Sequence, residues 1–102
     1  MIHVIAVITA KPGQRESILL HFRANTPAVR AEDGCIEYNA VVDAEDPLPF
    51  QSAYGADTFV VIEKWASMAA LKAHAAAPHM AAYGAKTREL IASRVIHIMQ
   101  AT

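Results

Sequence analysis

The chain has 102 residues, is 54% hydrophobic and carries a formal charge of −1 with histidine neutral. That length supports one domain, residues 1–102, with a modest core. The balanced charge, with no stripe of Lys or Arg, argues against a nucleic-acid or anionic-membrane partner. Cys35 is the only cysteine, which rules out an internal disulfide and a cysteine-built metal site. It reads as a buried thiol on a strand. No apolar run reaches the ~18–20 residues of a bilayer span. The opening MIHVIAVITAKPG has neither the basic region nor the long apolar run of a signal peptide, so a cytoplasmic protein is expected. The apolar fraction exceeds the usual ~45–50% of soluble domains and implies more buried surface than one small globule needs.

His3 to Ala10 is short, continuous and β-branched, and it ends at Lys11-Pro12-Gly13, a strand followed by a turn. Gln14 to Ala31 reads as a helix, with Ile18, Leu19, Phe22 and Val29 on one stripe. Pro27 predicts a kink or break near Thr26, because it lacks a backbone donor and crowds the carbonyl of Arg23. Gly34 closes the segment. Cys35 to Asp43 alternates as a second strand. Ala44 to Asp57 holds two prolines, Phe50, Tyr54 and Gly55 without periodicity, a loop long enough to be functional or interfacial.

Thr58 to Trp65 is the third strand. Ser67 suits the N-cap of a helix that turns Met68, Leu71 and Ala75 inward. Pro78 suits the first turn of a further helix whose face is Met80, Tyr83, Thr87, Leu90 and Ile91. Arg94 to Gln100 is the last strand. The order β-α-β-β-α-β predicts an α+β, ferredoxin-like split βαβ fold with an antiparallel sheet and helices on one face. The strands are apolar on both faces, so the uncovered face predicts a homodimer joined sheet to sheet.

Chemistry-bearing residues concentrate between Phe59 and Tyr83. Glu63 on an apolar strand is either an acid paired with Lys or Arg at a sheet edge, or a pocket acid whose pKa is raised by desolvation. Trp65 is a core residue or the floor of a cavity for an aromatic ligand. His74 follows Leu71 by three residues and lies beside the buried face of its helix. It suits proton transfer near neutral pH. His79 stands at a helix start, where the dipole favours the neutral imidazole that a general base needs. Tyr83 is four residues further on the same face, and Tyr38 and Asn39 are weaker candidates on the second strand. His3, His21 and His97 read as structural or surface residues. His74 and His79 are five apart across a proline-marked junction, which is not the spacing of a helical zinc pair, so no metal is expected. No glycine-rich nucleotide loop, G-x-S-x-G or H-E-x-x-H occurs.

The spacing Glu63-x-Trp65, then Leu71-x-x-His74, then Pro78-His79-Met80 resembles the antibiotic biosynthesis monooxygenase superfamily. The runs AVITAKPGQRE, EDGCIEY, VVDAEDPLPFQS, VIEKW and PHMAAY are similar to its small bacterial quinol monooxygenases, and the likeness covers nearly the whole chain. The resemblance implies a dimeric α/β barrel with a pocket in each subunit between sheet and helices. It implies oxidation of a quinol or polycyclic phenol with O₂ and no prosthetic group. On that reading His74 or His79 is the base, with Glu63 the next candidate. Trp65 and Phe50 contact the ring, and Asn39 or Tyr83 hydrogen-bonds the developing oxyanion. Tyr38 completes the candidate lining. Haem-degrading relatives carry Asn, Trp and His where this chain has Ala6, His74 and Gly84, which argues against that branch. A phosphate-binding isomerase branch is disfavoured by the scatter of Arg15, Arg23, Arg30, Arg88 and Arg94. The alternative to an enzyme is a non-catalytic dimeric module that binds a small molecule in the same pocket or serves a stress response.

Overall fold

The computed structural model describes residues 1–102. Strand β1 (Ile2–Ala10) alternates buried and half-buried residues along its whole length. Period-two geometry sends Ile2, Val4, Ala6, Ile8 and Ala10 to one sheet face, and all five are buried there. They pack with Ile18, Leu19, Phe22 and Val29 of helix α1 (Arg15–Arg30) in a single core cluster. Strands β2 (Cys35–Val41) and β3 (Thr58–Trp65) follow, then helices α2 (Met68–Ala75) and α3 (Pro78–Thr87), a 3₁₀ turn over Arg88–Leu90, and strand β4 (Ile91–Gln100). The sheet order is β2-β3-β1-β4 and every neighbouring pair is antiparallel. This is the expected α+β, ferredoxin-like split βαβ arrangement.

Three local expectations change. Helix α1 runs unbroken through Pro27. The proline sits in the last turn, where the missing donor orphans only the Arg23 carbonyl, and the Thr26 hydroxyl donates to the Phe22 carbonyl at 2.8 Å. In α2 the buried residues are Leu71 and His74, while Met68 and Ala75 are exposed. One helical turn separates Leu71 from His74, so the imidazole takes the inward position. Leu90 and Ile91 do not extend α3. The chain tightens to 3₁₀ after Thr87, and Ile91 is already extended and paired with Ala10.

β4 is paired along one edge to β1, yet nine of its ten residues are exposed, so no helix covers it on either face. Exposed Val95, Ile96, Ile98 and Met99 extend over both of its faces. No helix is long and apolar enough to cross a membrane.

Candidate active site

Glu63 lies on the helix-covered face of β3, between Val4 of β1 and Tyr38 of β2 in the register. It is buried and has no Lys or Arg partner. Lys64, its neighbour on the opposite face, pairs with Glu37 at 3.2 Å instead. The Trp65 indole N–H donates to Glu63 Oε1 at 2.9 Å. Burial raises the Glu63 pKa, the indole hydrogen bond and His74 draw it back down, and Glu32 raises it again. Of the two expectations for Glu63, the structure therefore supports the desolvated interior acid.

The centre of the cluster is Glu32, which the sequence reading did not select. Its Oε2 lies 2.8 Å from His74 Nδ1 and 2.8 Å from His79 Nε2. A carboxylate oxygen only accepts, so each ring presents an N–H to it. For a neutral imidazole that arrangement sets the tautomer. His74 keeps its lone pair on Nε2, which faces Glu63 Oε1 at 3.9 Å. His79 keeps its lone pair on Nδ1. The His74 side chain is only 7% exposed and the His79 side chain 30%. His74 stacks tilted on Trp65, with centroids 4.6 Å apart, and meets the Tyr38 ring edge-on at 5.6 Å.

The backbone explains the convergence. Helix α1 stops at Arg30, and a turn through Glu32 leads to Gly34 at φ +84°. Gly34 accepts a hydrogen bond from the Ala66 backbone at 2.8 Å. A Cβ on Gly34 would lie 2.6 Å from the Ala70 Cβ, so only glycine lets this turn approach α2. Ala77 is extended between α2 and α3, and Pro78 opens the second helix. The chain therefore bends between the two histidines. Their five-residue separation argued against a helical pair, but the bend brings both rings to one carboxylate. Only charge and position at the end of a helix marked Glu32 in the sequence, and acids there are usually solvated.

The remaining candidates lie elsewhere or carry packing. Trp65 is 0% exposed and sits beneath His74, so it does not floor an open cavity. Phe50 is 83% exposed on the 44–57 loop and contributes nothing to this cluster. Asn39 has its amide committed at the edge strand: its Nδ2 donates to Glu37 at 3.1 Å and its Oδ1 accepts from Arg30 at 2.8 Å. One of its two Nδ2 hydrogens remains without a partner, and the residue lines the groove beside α1 rather than the Glu32 cluster. Tyr38 stacks on Phe22 at 5.0 Å, and Tyr83 meets Phe22 edge-on at 6.3 Å. Burial pushes the Tyr83 phenol up to about 12, with Arg94 opposing, and pushes Tyr38 higher still, with Glu63 adding to it. Cys35 is half-buried, and burial followed by Glu32 and Glu63 raises its thiol, so it is not an activated nucleophile.

The interior between sheet and helices is filled by these rings. A cavity of about 450 Å³ opens instead between α1 and β2, lined by Leu19, Phe22, Thr26 and Ala40, with Arg23 and Arg30 among its polar groups. Phe22 forms its inner wall and stacks on Tyr38, which in turn meets His74. An aromatic path thus joins the groove to the cluster.

Residues 1–86 match the model of the antibiotic biosynthesis monooxygenase family. The chain is 39% identical over 102 residues to a protein of Escherichia coli K12 named "Probable quinol monooxygenase YgiN", covering 98% of this chain and 97% of that one. Among solved structures it is similar to PA3566 from Pseudomonas aeruginosa, with a TM-score of 0.81, 29% identity and coverage of 99% of this chain and 93% of that one. Rv0793 from Mycobacterium tuberculosis is similar at a TM-score of 0.81 and 25% identity, over 99% of this chain and 94% of that one.

Proposed function

We propose, from the premise that this chain belongs to the antibiotic biosynthesis monooxygenase family, that it oxidises a quinol or polycyclic phenol with O₂. The observation that carries this reading is the Glu32 carboxylate accepting from both imidazoles at 2.8 Å. A carboxylate behind a histidine holds the tautomer and stabilises the imidazolium that forms when the ring takes a proton. His79 is the base on this reading, because it is the more exposed of the two rings and its Nδ1 is left as the acceptor. His74, enclosed between Trp65 and Tyr38, positions Glu32 and links it to Glu63.

The chemistry follows from proton removal. His79 Nδ1 takes a phenolic proton, and the resulting quinolate is electron-rich enough to give single electrons to O₂. One oxygen atom enters the ring and the other leaves as water, while the quinol becomes a hydroxyquinone. The substrate supplies every electron, so no flavin or haem is required. The phenol reaches the base at the partly exposed edge of His79, since the groove between α1 and β2 has no residue of the cluster in its wall. We further propose a homodimer that covers the exposed apolar surface of β4.

The test is oxygen uptake on mixing the protein with a reduced naphthoquinol. The wild-type chain should consume O₂ and yield a hydroxylated quinone. His79→Ala should retain the fold and lose about 10²–10⁴-fold in rate, the usual cost of a general base. Binding of the quinol without oxygen uptake would instead identify a ligand-binding module.

A further inference from the structure

Glu32, His74 and His79 come from three separate segments and point one oxygen and two ring nitrogens at a common centre. We propose that these three residues bind one divalent first-row transition-metal ion of the Zn²⁺ type, and that the bound ion silences His79 as a base. The binding stands on geometry alone; only the silencing rests on the proposed function.

The donor set and spacing fit such an ion. The three donor atoms lie within 4.8 Å of one another, and each nitrogen is 2.8 Å from the same oxygen. An ion ~2.0–2.2 Å from each donor separates ligands set at right angles by about 3 Å, close to the 2.8 Å of each nitrogen–oxygen pair, while the two nitrogens, within 4.8 Å of each other, draw together around it. Tetrahedral ligands need about 3.4 Å, a modest opening of the same site. Two imidazoles and one carboxylate suit the borderline ions, and the remaining positions stay open to water. The partly exposed His79 gives the ion a way in, while buried His74 and half-buried Glu32 shield its other side.

The surroundings supply what a metal-binding histidine requires. A ligating imidazole usually donates its other N–H to a carboxylate. When His74 Nδ1 takes the ion, its proton moves to Nε2, which faces Glu63 Oε1 at 3.9 Å. Trp65 already holds that carboxylate from the other side. A double positive charge also balances two carboxylates enclosed in one small volume. For His79 the consequence is chemical: metallation at Nε2 moves the ring proton to Nδ1, and the lone pair assigned to the phenolic proton is gone. No net proton is released in either tautomer change.

Metal-free protein titrated with Co²⁺ should develop visible d–d absorption that saturates at one ion per chain, and calorimetry with Zn²⁺ should give the same stoichiometry. Glu32→Gln and His79→Gln should abolish the saturable site. Glu63→Gln should weaken it by about 10–100-fold, the usual cost of a supporting carboxylate. His79 is partly exposed, so its variant should fold, and circular dichroism checks that it does. Zn²⁺ should also stop quinol-dependent oxygen uptake, and a chelator should restore it. No saturable binding to the wild type, or binding unchanged in both ligand variants, overturns the site and assigns any affinity to surface groups such as His3 or His97. Binding that depends on Glu32 and His79 but leaves turnover intact upholds the site and overturns His79 as the base.

Discussion

At the scale of single residues, Glu32 organises the cluster without needing to touch the substrate. Glu32→Gln should therefore lower kcat with little change in KM, by less than the ~10²–10⁴-fold expected for loss of the base itself. An equal fall in ring affinity would show that Glu32 contacts the quinol. The buried phenols give a separate expectation, in stability rather than rate. The folded-state value of Tyr83 is raised from 10.0 to about 12. Its contribution is therefore fully present below the unfolded value near 10 and is lost as pH rises toward about 12. Tyr38 shifts in the same direction. Denaturant unfolding followed from neutral to strongly alkaline pH should show this loss, and Tyr83→Phe should reduce it. An unchanged alkaline profile in that variant would remove Tyr83 as its source.

At the scale of elements, the turn from α1 into β2 and the bend between α2 and α3 decide whether a site exists. Gly34 is the tightest point, since it combines φ +84° with a close approach to Ala70. Gly34→Ala should cost roughly 1–2 kcal/mol from backbone conformation alone, before the clash with α2 is relieved. In a chain of this size each kcal/mol lowers Tm by about 4–8 °C. Relieving the clash moves the Glu32 turn relative to His74, so activity and metal affinity should fall along with Tm. A melting curve like that of the wild type would show that the turn is less constrained than its geometry indicates.

At the scale of the whole molecule, β4 is the exposed edge of the sheet and carries apolar side chains to solvent on both faces. An exposed apolar edge of this kind invites association. Sedimentation should give a mass twice that of the 11.0 kDa chain. Val95→Asp, at a half-exposed position that supports no core contact, should shift the equilibrium toward monomer while leaving the monomer folded. A stable wild-type monomer at micromolar concentration would end the dimer proposal.

The fold was legible in the chain because its signals are local. Alternation in β1 and β3, the Ile18-Leu19-Phe22 stripe, Ser67 as an N-cap, and Pro78 at a helix start each act within a few residues. The Ser67 Oγ does accept from the Ala70 backbone N–H at 3.1 Å. His74, His79, Glu63, Trp65 and Tyr38 were likewise legible, as reactive or aromatic groups on apolar elements. What the sequence could not supply was their relation to one another. Glu32 stands 42 residues from His74 and 47 from His79, and no periodicity links positions so far apart. Phe50 and Asn39 failed to join the cluster for the same reason: loop placement and the commitment of an amide to Arg30 depend on tertiary contacts. Secondary structure follows from short-range sterics and hydrogen bonding, so sequence alone determined the elements and their order. The meeting of one carboxylate with two imidazoles was decided only by how those elements pack.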